Sequence, residues 1–325
     1  MEQPNQPQGA APASRGNVAF GWLTRIMAAA GILVPAIAAI FTGDMLVHGH
    51  PLYTVFLGTT MLISLAVLIF SLRRPLAAPK GLKGLRVVGA AAVALLLAGF
   101  CWLIPSSAVE PALTAMHSDS KVTVTETATD VVLTPAGGDG QTGVFFQPGA
   151  LVDSRAYAAV LRPLAESGYT VVIPKQPLNI AFLAMTAFES AQMKHESISS
   201  WVVGGHSLGG VAAASDAQTF AFDAERPISG LLLFASYPSS DMSSTNMPVL
   251  SLSGSEDGLA TPEKIQDSKP LLPADAKFLQ IQGGTHAYFG DYGTQHGDGT
   301  ATISHDEARS QISQASLDFV SSLQK

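Results

Sequence analysis

The sequence predicts an α/β fold, a mostly parallel sheet covered by helices on both faces and preceded by three transmembrane helices. Two patterns predict it. From Lys121 onward, short β-branched or apolar runs alternate with helical stretches, as they do where crossover helices bury parallel strands. Ahead of that, three stretches carry no charge over about the 20 residues a bilayer requires: Ile26 to Gly43, Pro51 to Leu72 and Val87 to Val109. Composition agrees, since 47% of residues are hydrophobic and only 13% charged, more apolar than a soluble domain of ordinary make-up.

Taken from the N-terminus, residues 1–22 are rich in Pro, Gln and Ala with few large apolar side chains, and are expected to be a disordered leader. Residues 23–110 form the membrane region, with spans at about 26–43, 51–72 and 87–109. Pro35 falls in the first span, where neighbouring helices can satisfy the carbonyl it frees. A cleaved signal sequence is the alternative for that span, but no small-x-small cleavage site followed by soluble sequence precedes the next one. Trp22, Tyr53 and Trp102 fall toward span ends, as interfacial aromatics do. The connection bearing Arg73, Arg74, Lys80, Lys83 and Arg86 is basic, whereas the one bearing Asp44, His48 and His50 has no Lys or Arg. The N-terminus is therefore expected in the cytoplasm, and three crossings put residues 111–325 outside it. Cys101, the one cysteine, lies in the third span, so the outer domain is expected to stand without a disulfide. Phe100 argues against lipidation of Cys101, because a small residue is expected before a lipidated cysteine.

The charge changes with the region. Residues 1–110 hold 3 acidic and 7 basic side chains, residues 111–325 hold 22 and 11. An acidic outer domain with no basic patch excludes nucleic acid as a partner. Its strands are expected at KVTVTE, DVVL, GVFFQ, YTVVIP, SWVVGG, ISGLLLFAS, PVLSLSG and KFLQIQGG. Tyr157, Val160, Leu161 and Leu164 share one helical face, and Gly168 stops that helix. Ser304 and Glu307 form a capping box for the last helix, which buries Ile312, Ala315, Phe319 and Leu323.

The chemistry sits at strand ends. Gly205-His206-Ser207-Leu208-Gly209 follows a strand and opens a helix, the setting in which a strained turn lifts a serine hydroxyl clear of a sheet and leaves the next N–H, that of Leu208, for an oxyanion. A serine needs a base, and the base an orienting carboxylate. Asp257 is the acid candidate, in a turn after PVLSLSG, with Glu256 beside it as the alternative. An Asp-Gly turn former is the competing reading of Asp257. His286, just past the strand KFLQIQGG, is the general-base candidate. Ala150 N–H, after Pro148-Gly149, is the candidate second oxyanion donor, with Gly149 and Leu151 as alternatives. The loop from Ala287 to Ile303, with Phe289 and Tyr292, could wall a pocket. Asp291 and Asp298 there are read first as turn formers bonding backbone N–H groups.

From Lys121 to the C-terminus the chain resembles the alpha/beta-hydrolase superfamily, and most the small, lidless branch that is dienelactone-hydrolase-like (the hydrolase fold-5 domain). The residues are FQPGALVD, GGHSLGG, SGSEDG and GGTHAYFGDYGTQHGDGTATIS. The resemblance implies ester or related acyl hydrolysis through a serine acyl-enzyme, without cofactor or metal. Two departures limit it. Pro148 stands where His usually precedes the oxyanion glycine, and serine replaces the cysteine of true dienelactone hydrolases. The expected protein is thus a membrane-anchored serine esterase acting on a small-molecule or lipid ester, with the bilayer as a partner. Acyl transfer through the same residues and a non-catalytic binding module are its rivals. His48 and His50 alone make a weak metal site, since no third ligand is near in sequence.

Overall fold

The computed structural model describes residues 15–73, 83–138, 140–221 and 227–324. They divide into two compact units: one of residues up to Gly43 with Val55–Ile104, the other of Asp44–Thr54 with Pro105–Lys325. The second unit thus begins six residues ahead of the boundary read from sequence and takes in the connector between the first two apolar stretches.

The first unit holds α1 (Arg15–Phe41), α3 (Pro51–Leu72, from Val55 on) and α4 (Lys83–Trp102), while α2 (Gly43–His48) leads into the connector. Two helices are long and apolar enough to cross a membrane, Val18–Phe41 and Pro51–Leu72. Ile40, Leu62, Ile63 and Phe70 lie exposed along them, an outward apolar surface suited to lipid. The helices α1 and α3 approach closely where Gly31 faces Ser64, since a Cβ on Gly31 would come within 2.9 Å of the Ser64 Cβ.

Three expectations are corrected here. The helix α1 starts at Arg15, so residues 15–22 are helical rather than part of a disordered leader. Val18, Phe20 and Leu23 give it an apolar beginning, and Arg25 is accommodated because its guanidinium donates to the Ser71 carbonyl at 2.8 Å. Residues 1–14 and the basic positions Arg74 and Lys80 lie outside the described residues. The third apolar stretch is shorter than expected: the helix ends at Trp102, and its apolar run among the described residues is Val87–Trp102. Pro105 cannot continue it, and the residues beyond belong to the second unit, within which Ser106 N–H donates to Leu151 O at 2.7 Å and Val109 N–H to Asp291 O at 2.8 Å. Two helices of spanning length, where three were expected, leave the placement of the second unit outside the cytoplasm without the three crossings it rested on.

In the second unit, eight strands form one sheet: β1 (Val122–Glu126), β2 (Asp130–Pro135), β3 (Thr142–Gln147), β4 (Thr170–Pro174), β5 (Ser200–His206), β6 (Ile228–Phe234), β7 (Val249–Gly254) and β8 (Lys277–Ile281). Their order is β1-β2-β4-β3-β5-β6-β7-β8. Only the β1–β2 and β2–β4 pairs are antiparallel. The five pairs from β4–β3 to β7–β8 are parallel, so their carboxyl ends share one edge. Every residue of β3, β4 and β7 is buried, as parallel strands covered on both faces must be.

Alternation along the strands divides the core in two. Val144, Phe146 and Val202 join one cluster with Leu161 and Leu164 of α6 (Ala158–Glu166) and Ile312 and Phe319 of α10 (His305–Ser322). Phe145, Trp201 and Val203 join the other with Phe188 of α7 (Ala187–Lys194) and Ala213 and Ala217 of α8 (Leu208–Thr219). The short α5 (Ala112–Ala115) and α9 (Pro262–Ser268) complete the unit. Gly168, at φ 99°, ends the α6 segment, and Ser304 Oγ caps α10 by accepting from Glu307 N–H at 3.1 Å.

Candidate active site

Between β5 and α8 the chain reverses in one residue. Ser207 sits at φ 52°, ψ −123°, a region costing a non-glycine residue about 1–3 kcal/mol and held only where its surroundings impose it. The surroundings are glycines. A Cβ on Gly205 would reach 2.6 Å from Gly210 N, and one on Gly209 would strike the carbonyl oxygens of Gln147 and Pro148. Strand, helix and the loop after β3 therefore touch through bare backbone. Ser207 N–H donates to Phe234 O at 3.0 Å, and Ser236 Oγ donates to Ser207 O at 2.6 Å. Leu208 N–H, in the first turn of α8, has no acceptor within the helix.

Asp257 and His286 meet at the ends of β7 and β8. His286 Nδ1 lies 2.9 Å from Asp257 Oδ2, with both side chains buried. Asp257 Oδ1 accepts from Leu259 and Ala260 N–H, each at 2.8 Å. Because the carboxylate can only accept, His286 carries its proton on Nδ1 and presents a lone pair at Nε2. Among the described residues that Nε2 has no hydrogen-bond partner. Glu256, the alternative acid, is exposed and takes a hydrogen bond from Ser255 Oγ at 3.1 Å.

Of the three N–H groups considered after Pro148, two are occupied. Gly149 N–H donates to Tyr157 Oη at 2.9 Å, and Leu151 N–H to Asn179 O at 2.8 Å. Ala150 N–H has no partner among the described residues.

Residues that sequence reasoning passed over, or read in another role, build this site. Tyr157, predicted only as one member of an apolar helix face, accepts from Gly149 and donates to His206 Nδ1 at 2.8 Å. Burial, then the neighbouring His286 imidazole, hold His206 well below the ordinary imidazole range, with the His286 backbone opposing. It is therefore a neutral spacer, its ring 4.6 Å from that of His286. Asp298 is the turn former expected, but its turns are the site's own. Oδ1 accepts from Gly258 and His286 N–H, each at 3.1 Å, and from Gly299 at 2.7 Å, and Oδ2 accepts from Ala287 at 2.8 Å. Asp291 differs, since its carboxylate pairs with Arg309 at 2.7 Å. Phe289 and Tyr292 are buried rather than lining an open wall, each with its ring 6.0 Å from that of His206.

Behind the β3 loop, Gln147 Nε2 donates to Asp216 Oδ2 at 3.1 Å and Gln176 Nε2 to Gln147 Oε1 at 2.9 Å. Burial pushes the Asp216 carboxyl up to about 7, against the Gln147 hydrogen bond. Among the described residues, no group of three or more His, Cys, Asp or Glu could hold a metal ion.

Solved structures similar to the chain include a predicted CIB-like hydrolase from Thermoplasma acidophilum (14% identical, TM-score 0.46, covering 61% of this chain and 98% of that one). They also include an esterase from Thermogutta terrifontis with propionate bound (13%, TM-score 0.43, 63% and 94%). An esterase from Pyrobaculum calidifontis is a third (17%, TM-score 0.45, 65% and 88%). Among curated proteins none matches the sequence. The family model described as the alpha/beta hydrolase family matches residues 143–310, from the second residue of β3 into α10 and just over half of the chain. On that match, the chain belongs to the alpha/beta hydrolase family.

Proposed function

We propose that this protein is a membrane-anchored serine hydrolase that cleaves a carboxylic ester through an acyl-enzyme. One observation carries the reading: the buried Asp257–His286 pair at 2.9 Å, with Nε2 of the imidazole unpartnered, on the same sheet edge as the strained Ser207 turn. His286 Nε2 takes the proton of Ser207 Oγ as that oxygen bonds to the ester carbonyl carbon, and Asp257 stabilises the imidazolium that results. Leu208 and Ala150 N–H take the oxyanion. As the intermediate collapses, the ester C–O bond breaks and the alcohol leaves with the proton from His286. Water then attacks the acyl-serine, giving up its proton to His286, and the acid departs as Ser207 recovers its own.

The helices α1 and α3 are the anchor. Fluorophosphonate labelling of the detergent-solubilised full chain tests the chemistry, with the modified peptide located by mass spectrometry. Labelling at Ser207 that disappears in His286→Ala, with ester turnover falling about 10⁴-fold or more in Ser207→Ala, is the expected result. A folded chain that takes no label, or takes it elsewhere, overturns the reading.

A further inference from the structure

We propose that the loop between β4 and α7 rests in the surface of the lipid bilayer, and that the ester presented to Ser207 is an amphiphile resident there. The second clause rests on the serine hydrolase reading; the first does not. Between Lys175 and Glu189 the sequence has no charged residue, yet Phe182, Leu183 and Met185 are 47%, 52% and 41% exposed. Such side chains gain free energy by leaving water.

Their surroundings identify what they meet. Apart from Met193 and Leu279, the exposed large apolar side chains described in this unit fall in three segments: this loop, the connector (Val47, Leu52) and the strand leaving α4 (Val109). The connector and the leaving strand join the unit covalently to the apolar helices, and both dock at the carboxyl edge of the sheet. His48 Nδ1 lies 3.0 Å from Glu126 at the end of β1, itself bonded by Lys175 at 2.7 Å just past β4. Asp44 pairs with Arg155, beyond β3, at 3.8 Å. The leaving strand continues the contact: Ser106 N–H donates to Leu151 O, and Leu151 N–H to Asn179 O, at 2.7 and 2.8 Å. Asn179 is the base of the apolar loop, and Leu151 follows Ala150. The tether segments, the exposed apolar loop and the candidate oxyanion donor therefore share one edge of the second unit, the edge from which the chain continues into the apolar helices. Interfacial segments of soluble units bind in this way, by apolar side chains sunk to the headgroup level.

The test uses the full chain in phospholipid nanodiscs, with Cys101→Ser as background and single cysteines carrying an environment-sensitive fluorophore. The labels sit at Phe182→Cys, Met185→Cys and, at the opposite edge of the sheet, Ser199→Cys. Blue-shifted emission and quenching by nitroxide-bearing lipid at 182 and 185, without either at 199, is the expected result. Absence of quenching at 182 and 185 overturns the proposal. So does protection of both labels that requires a second labelled copy in the same disc, which would make the occupant another chain.

Activity provides the second arm. Phe182→Ser with Met185→Ser should lower hydrolysis of a long-chain ester in vesicles about tenfold and leave a soluble short-chain ester unaffected. Equal loss on both substrates overturns the substrate assignment. A wild-type chain inactive on the soluble ester defeats the hydrolase reading instead, while the quenching result still decides the loop.

Discussion

The two sides of the candidate site are held in place by opposite means. The serine side is fixed by missing side chains: Gly205, Gly209 and Gly210 let β5, α8 and the β3 loop meet backbone to backbone. The acid–imidazole side is fixed by one added side chain, the Asp298 carboxylate, which takes N–H groups from both the Asp257 loop and the His286 loop. Close packing tolerates no new atom, whereas a hydrogen-bonded clamp tolerates any change that preserves its acceptors. The sharpest way to break the first side is Gly209→Ala. Its methyl would collide with two backbone carbonyls that cannot rotate away, forcing α8 off the loop that carries Ala150. A displacement near 1 Å costs about 10²-fold in turnover, and overpacking of this kind about 1–3 kcal/mol in stability. Ester turnover and the guanidinium midpoint of the detergent-solubilised chain measure both; near wild-type turnover would show that the glycine contact does not position the site.

Asp298→Asn tests the other side. The amide keeps the volume but turns one accepting oxygen into a donor, so at least one backbone N–H on the clamp loses its partner. Hydrogen bonds to charged groups contribute about 1.5–3 kcal/mol each, and the loss here falls on the relative placement of Asp257 and His286. Turnover should drop about tenfold with KM little changed, while fluorophosphonate still labels Ser207 slowly. A variant that loses stability but retains its turnover would reduce Asp298 to an ordinary turn former.

The same contrast explains what could be read from the sequence. All eight strands lie where β-branched or apolar runs predict them, within a few residues; burial on both faces demands such runs in β3, β4 and β7, while the edge strands β1 and β8 are largely exposed. The elbow was legible since its glycines adjoin the serine. The third span was overextended because composition alone does not register Pro105, nor that Ser106 and Val109 are bonded into the second unit. Conversely the first helix was cut short at Arg25, a charge that only the distant Ser71 carbonyl accommodates. Tyr157 and the Gln147–Gln176–Asp216 network carry no local signal, since their partners lie from 8 to 69 positions away, and the local turn signal at Asp298 does not disclose the bonds to Gly258 and His286, 40 and 12 positions away.

That network gives a pH test of smaller size. The folded Asp216 carboxyl titrates at about 7, against 3.8 in its absence of burial. Its neutral form is therefore favoured by folding, and the stability it contributes is fully present below the unfolded value and lost as pH rises toward 7. Asp216→Asn keeps an acceptor for Gln147 Nε2 without the charge. Relative to this variant, the wild type should lose about 3 kcal/mol between pH 5 and pH 8, read as a difference in guanidinium midpoints at the two pH values. Parallel curves would mean that Asp216 stays ionised and solvated.

Tyr157→Phe makes the smallest change and probes the junction of the two sides. The hydroxyl joins Gly149, in the oxyanion loop, to His206, whose ring abuts His286. Without it the ring still fills its place against Phe146, with centroids 5.3 Å apart, but Gly149 N–H and His206 Nδ1 both lose a partner. Leaving buried polar groups unsatisfied costs about 1–3 kcal/mol. Because the loop then has a free N–H at Gly149 beside the one at Ala150, the expected loss in turnover is only severalfold, and it should be greater in kcat than in KM. If turnover were unchanged while the midpoint fell, the hydroxyl would serve the core alone, and the two sides of the site would be positioned independently.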